Sequence, residues 1–131
     1  KNWMIVEKVK HKFKNKELLE RALTHSSKSD KNYERLEFLG DGILDFVVGE
    51  YLFKHCKEDE GQLTVIRSHF VSENNLCKVF DDLDLENDVM LGKSYRGQVS
   101  KAIKGDVVEA IMLQFILTAT LPLPPPLLKN I

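Results

Sequence analysis

Five acidic residues are spaced so that they could act together. Glu34, Glu37 and Asp41 succeed one another at steps of three and four, and Asp106 and Glu109 lie three apart. On a helix turning ~100° per residue, the first three share an arc of roughly 60°, and the second pair shares one face. If the two stripes face each other, four or five carboxylates converge. Like charges that close force protonation unless a cation sits among them. An all-oxygen donor set suits a hard divalent ion, Mg²⁺ or Mn²⁺.

The elements that would carry these acids are unusually apolar. Leu36, Leu39, Ile43, Leu44, Phe46, Val47 and Val48 surround the first stripe. Val107, Val108, Ala110, Ile111, Met112, Leu113, Phe115 and Ile116 surround the second. A helix apolar nearly all round is usually buried, and a buried, unpaired carboxylate costs several kcal/mol, of the order of magnitude known for buried ions. No Lys or Arg lies at helical spacing within the stripes to neutralise them. The same spacing also fits amphipathic helices with their acids in water, so spacing alone leaves both readings open. Asp45, four residues beyond Asp41, is either a sixth acid or the solvent edge of the stripe. Phe38 lies near the acidic face, either as ordinary core or as a hint of a subunit contact.

The rest of the chain reads as helices. Trp3 to Val9 predicts a short one. Lys16 to His25 carries Leu18, Leu19, Ala22 and Leu23 at helical spacing. Ser26 to Lys31 is turn-like. Tyr33 to His55 predicts one long helix, followed by a loop over Glu58 to Gly61. Thr64 to about Asp82 predicts two helices jointed near Ser72. A loop over Gly92 to Gly97 leads to a last helix over Val99 to Thr118, entered near Gly105. Strand alternation and hairpin turn signals are absent. The expected fold class is therefore all-α. All four prolines fall after Thr120, which predicts an extended tail.

Composition bounds the setting. With 131 residues the chain is long enough for one ordinary domain. Its 43% hydrophobic and 30% charged residues describe a folded protein, not a disordered one. No apolar run approaches the roughly 18 residues of a membrane span. Cys56 and Cys77 show no metal-type spacing and read as reduced thiols. An intracellular setting follows, cytoplasmic in the first instance, with nucleus or organelle open. The net charge of −1 argues against a purely electrostatic grip on nucleic acid. Local basic groups do exist, from Lys8 to Lys16 and at Lys93, Arg96, Lys101 and Lys104; solvated surface is the simplest reading of both.

At the acidic motif the sequence becomes recognisable. Glu34-Arg35-Leu36-Glu37-Phe38-Leu39-Gly40-Asp41 resembles the signature helix of the ribonuclease III family. Leu18-Leu19 with Ala22-Leu23-Thr24-His25-Ser26-Ser27 resembles the helix before it. Glu60-Gly61-Gln62-Leu63-Thr64 with Arg67 resembles the middle helix, and Gly105-Asp106-Val107-Val108-Glu109-Ala110 the second acidic motif. The resemblance runs from about Phe13 to Leu117. It implies the family's helical endonuclease fold over residues 1–119, with residues 120–131 as a Pro-rich tail and no double-stranded-RNA-binding domain in this chain.

The resemblance also implies roles. Glu37, Asp41, Asp106 and Glu109 match the family's metal-binding acids. Glu34 matches an acid that supports the site, which makes five catalytic-site candidates. Phe38 matches an aromatic that inserts into a partner subunit. Thr24, His25 and Arg67 read as structural, Asp45 falls outside the site, and no residue is assigned to RNA contact. The implied activity is Mg²⁺-dependent hydrolysis of double-stranded RNA, with Mn²⁺ as a substitute, leaving 5′-phosphate and 3′-hydroxyl ends. The implied partners are duplex RNA and a second copy or a second domain of the same family.

Two other classes remain as alternatives: a non-catalytic RNA-binding or ribosome-associated member, and an unrelated helical metal-binding or interaction domain. Loss of acids would favour the former, and none of the five is lost. Leu113 and Gln114 stand where the family usually has small residues, and larger side chains there are expected to alter packing near the subunit contact.

Overall fold

A computed structural model describes residues 15–116. The expected helix at Trp3 to Val9 and the Pro-rich tail lie outside the described residues. Five α-helices and one 3₁₀ turn follow in order: α1 (Lys16–Ala22), α2 (Glu34–His55), α3 (Glu60–Phe70), α4 (Glu73–Asp82), the turn Glu86–Asp88, and α5 (Lys101–Ile116). Among the described residues no strand forms. One isolated bridge joins Thr24 to Met90. The all-helical expectation is met.

Local chemistry explains where the helices begin. The Asn15 side chain accepts from the Leu18 amide at 3.1 Å and starts α1. Asp59 and Gln62 form a reciprocal capping box, so α3 begins at Glu60, inside the segment expected to be loop. The Ser72 side chain caps α4, which places the joint between α3 and α4 where the sequence predicts it. The Ser100 hydroxyl accepts from the Ile103 amide at 3.2 Å. That cap starts α5 at Lys101, one turn ahead of the expected entry near Gly105. α4 ends with Asp84 at φ 51° and Leu85 N–H reaching back to the Phe80 carbonyl.

α5 is the centre of the domain. α1, α2 and α4 all pack on it, while α3 lies against α2. Leu19, Phe80, Leu85, Ile111 and Leu113 are almost completely enclosed. Each side chain of that kind contributes roughly 1.5–3 kcal/mol by leaving water. Gln114 is buried too; its amide donates to the Leu18 carbonyl at 3.0 Å and so ties α5 to α1. Leu113 and Gln114 are thus used inside this chain's own packing.

The long helix departs from expectation. Only Gly40, Leu44 and Leu52 of α2 are buried. Phe38 and Phe53 are each 80% exposed, and Leu39, Phe46 and Val47 also face outward. α2 rests on α5 along one side and on α3 along another, and no described element covers the remaining apolar face. Val65 and Phe70 of α3 extend the same kind of surface.

Candidate metal centre

Gly40 sets the crossing of α2 and α5. A Cβ on Gly40 would stand 2.1 Å from the Glu109 carbonyl oxygen, far inside any tolerable contact. Only glycine lets the two backbones meet there. The meeting point lies between Glu37 and Asp41 on α2 and within the Asp106–Glu109 turn of α5. The close approach therefore decides how near the two acidic stripes come.

The result is a cluster. Carboxylate oxygens of Glu37, Asp106 and Glu109 lie within 4.8 Å of one another, within reach of a single ion. Asp41, exposed on α2, stands near enough to Glu109 to raise it. Glu34 is exposed on the first turn of α2 and adds its charge to the fields at Glu37 and Asp106. The structure thus draws Glu37, Asp106 and Glu109 together, sets Asp41 near Glu109 outside that trio and leaves Glu34 at the rim. Asp45 lies further along α2 and lines a different groove.

The electrostatics of the group are those of acids lacking a counter-charge. Burial pushes Glu109 up to about 9, helped by its hydrogen bond to Asp41 and by repulsion from Asp41, Glu37 and Asp106. Glu37 is raised by burial first and then by Asp106, Asp41 and Glu34. Burial also raises Asp106, although a hydrogen bond from the Tyr33 phenol and the nearby His25 work in the opposite direction. The ion pairs formed among the described residues, Lys54–Glu50 and Lys104–Asp81, involve none of these acids. A divalent cation would meet this need: oxygen donors, several negative charges and no Lys or Arg ion pair to these acids among the described residues. The donor set fits such an ion.

Two contributors escape the sequence reading. Gly40 is visible there only as a small residue between acids in an apolar helix, a signal of close backbone approach. Tyr33 reads as a helix start, with nothing in its spacing to indicate a reach toward Asp106. The residues expected to be structural occupy interior or clamped positions. Thr24 is buried, with its hydroxyl donating to the Glu20 carbonyl at 2.7 Å. The His25 ring packs edge-on to Tyr33 and Tyr95. Arg67 lies over Gly49. Phe38 projects from α2 into solvent beside the cluster. A separate open groove of about 930 Å³ between α2 and α3 is lined by Phe46, Leu52, Phe53, Leu63 and Arg67 among others, and by none of the five acids.

An all-helical domain built around a carboxylate cluster suited to a divalent cation is the class that fold and site define. A family model described as ribonuclease-III-like matches residues 15–118. Ribonuclease 3 of a Nitratiruptor species is 40% identical over 111 residues, covering 81% of this chain and 49% of that protein. Ribonuclease 3 of Campylobacter jejuni is 43% identical over 107 residues, covering 78% and 48%. A solved nuclease domain of ribonuclease III from Campylobacter jejuni, described for structural flexibility in a region involved in dimer formation, matches with a TM-score of 0.81. Its identity is 39%, over 88% of this chain and 85% of that one. The chain belongs to the ribonuclease III family. It spans about half the length of the curated relatives it matches. No helix among the described residues is long and apolar enough to cross a membrane.

Proposed function

We propose that this domain is an endoribonuclease that hydrolyses double-stranded RNA with Mg²⁺, leaving 5′-phosphate and 3′-hydroxyl ends. The observation that carries the reading is the convergence of Glu37, Asp106 and Glu109 at the Gly40 crossing, with no Lys or Arg ion pair to them among the described residues, in a chain of this family. Glu37, Asp41, Asp106 and Glu109 would hold the metal, with Mn²⁺ able to replace Mg²⁺. When bound, such an ion supplies an activated water and steadies the leaving 3′ oxygen. Asp41 adds its charge beside Glu109. Glu34 adds negative field from the rim.

Duplex RNA would be recognised by A-form shape, phosphates and 2′-hydroxyls. A net charge of −1 gives the chain little long-range attraction for RNA, so a paired subunit or domain would add grip. The outward apolar face of α2 and α3 supports pairing. Contiguous apolar surface of this kind marks interaction sites, and Phe38 stands on it beside the cluster. Residues 1–119 would form the catalytic unit and residues 120–131 a tail. Two such units, each cutting one strand, would leave a short 3′ overhang.

The test is cleavage of a long, labelled RNA duplex at low salt, with Mg²⁺ and then with Ca²⁺ or chelator. Mg²⁺-dependent cuts with 5′-phosphate ends support the reading. Duplex that is bound but never cut would point instead to a non-catalytic RNA-binding member of the family.

A further inference from the structure

Between α1 and the loop that leads into α2 lies an open pocket of about 240 Å³, lined on its basic side by Arg21, Lys28 and Lys31. Its walls are fixed by hydrogen bonds. The Lys28 amide donates to the His25 carbonyl at 2.9 Å, the Lys31 amide to the Ser29 hydroxyl at 3.1 Å, and the Asn32 side chain to the Ser29 carbonyl at 3.2 Å. Met90, a further wall, is pinned through both backbone groups to Leu23 and His25. Arg21 is half-buried, and its Nε donates to the Asn32 carbonyl at 3.0 Å. That bond holds the planar guanidinium in one orientation and uses one of its five N–H donors. The other four find no hydrogen-bond partner among the described residues. Nor does Arg21, Lys28 or Lys31 form an ion pair there, although Glu17 stands one turn before Arg21. Glu17 and Glu20 complete the rim. Three cations against two acids leave a surplus of one positive charge, which suits a single phosphodiester. Asn32 joins the pocket to the acidic face, because its side-chain oxygen accepts from the Glu34 amide at 3.0 Å.

We infer that this pocket grips one backbone phosphate of the RNA duplex, away from the bond that is cut. This rests on the RNA reading above and gives it a point of contact. A guanidinium presents parallel N–H groups that match two phosphate oxygens, and the two lysines add point charge. The phosphate supplies the anion that the half-buried Arg21 lacks. A purely structural Arg21 would need only its Nε, and the exposed amines of Lys28 and Lys31 hold nothing together. The loop is already closed by its own hydrogen bonds, so binding requires little further ordering. Through Asn32 the gripped phosphate is held in register with the first turn of α2, where Glu34 and Glu37 stand. A contact of this kind fixes position and carries no sequence information.

The experiment measures binding of a labelled RNA duplex, with Ca²⁺ in place of Mg²⁺, across a salt series. It compares the parent chain, a Lys28→Gln/Lys31→Gln double variant, Arg21→Lys, and a Lys57→Gln/Lys78→Gln double variant. Lys57 and Lys78 are exposed and lie outside the pocket, so that pair controls for charge alone. Lys28→Gln/Lys31→Gln is expected to bind about tenfold more weakly at low salt. Its plot of log affinity against log salt should be shallower by about one. Arg21→Lys keeps the charge without the planar fork and should also weaken binding, with thermal melting as the check on its fold. In Mg²⁺ the lysine pair should raise KM for cleavage and leave kcat at saturating RNA close to the parent value. Mn²⁺ calorimetry without RNA should match the parent, because the pocket shares no residue with the carboxylate cluster. Equal weakening in both double variants would assign the effect to net charge and overturn the pocket. Parent-like affinity and salt slope in Lys28→Gln/Lys31→Gln would overturn it while leaving the RNA reading standing. A parent that binds no duplex even at low salt would sink both.

Discussion

α2 and α5 look like versions of one design. Each is a helix of mostly apolar residues interrupted by acids on one face, and they meet at Gly40 and Glu109. Their surroundings differ. α5 is enclosed by α1, α2 and α4, with Val107 and Ala110 wholly buried. α2 has α5 and α3 beside it and still presents Phe38, Phe46 and Phe53 to solvent. An apolar pattern all round a helix records a requirement for burial. It does not say whether the covering surface comes from the same chain. In α5 it does; for α2 we propose that a second subunit supplies part of it.

The sharpest way to break the comparison is at the shared acids. Glu109→Gln removes a charge with little change in volume. It should abolish Mn²⁺ binding and lower cleavage by more than about 100-fold, beyond the effect usual for a group that only orients a ligand. The metal-free fold should melt near the parent temperature at pH 7, because Glu109 is held neutral there by burial. Cleavage at the parent rate would remove Glu109 from the site.

Gly40→Ala attacks the crossing itself. The added methyl meets the Glu109 backbone, which cannot swing away as a flexible side chain would. Helix separation should cost about 1–3 kcal/mol of stability and weaken metal binding at the same time. Gly42→Ala is the control within the same helix, since a Cβ there meets nothing within 4 Å. Equal melting temperatures for Gly40→Ala and the parent would show that the close approach is not needed.

Phe38→Ala tests the other side of α2. Because Phe38 is mostly exposed in the single chain, its loss should change protomer stability by no more than about 0.5 kcal/mol. If Phe38 anchors a subunit contact, dimer dissociation should rise by about 2 kcal/mol, roughly thirtyfold. Analytical ultracentrifugation reads the difference, and unchanged sedimentation across concentrations would retire the interface.

The last test concerns pH. The folded chain keeps a proton on Glu109 up to about 9, whereas an ordinary glutamate gives it up near 4.5. Between these values the folded state binds more protons than the unfolded one, so metal-free stability should fall as pH rises. Mn²⁺ should flatten that slope by supplying the missing positive charge. Melting curves at several pH values, with metal and with chelator, check both signs. A metal-free melting temperature that rises between pH 5 and 9 would contradict the buried, unneutralised cluster.

Much of the domain is legible in the sequence, for identifiable reasons. The 3.6-residue rhythm of Leu19, Ala22 and Leu23, and the polar joint at Ser72, mark helices through local chemistry alone. Departures fall where a cap outweighs a composition cue. Asp59 with Gln62 extends helix through Gly61, and Ser100 starts α5 ahead of Gly105. At the site, the carboxylates declare themselves by type and spacing. Gly40 and Tyr33 do not, because each acts through a neighbour far away in sequence.

Determined by the sequence alone were the helical class, the acidic faces and the kinship with one family. Each depends on residue identity and short-range spacing, which an extended chain already contains. Tertiary structure decided which acids meet, how close they come, and which apolar face is left uncovered. Those properties depend on how α2 crosses α5. The crossing is set by a contact between Gly40 and Glu109, residues separated along the chain by most of the domain.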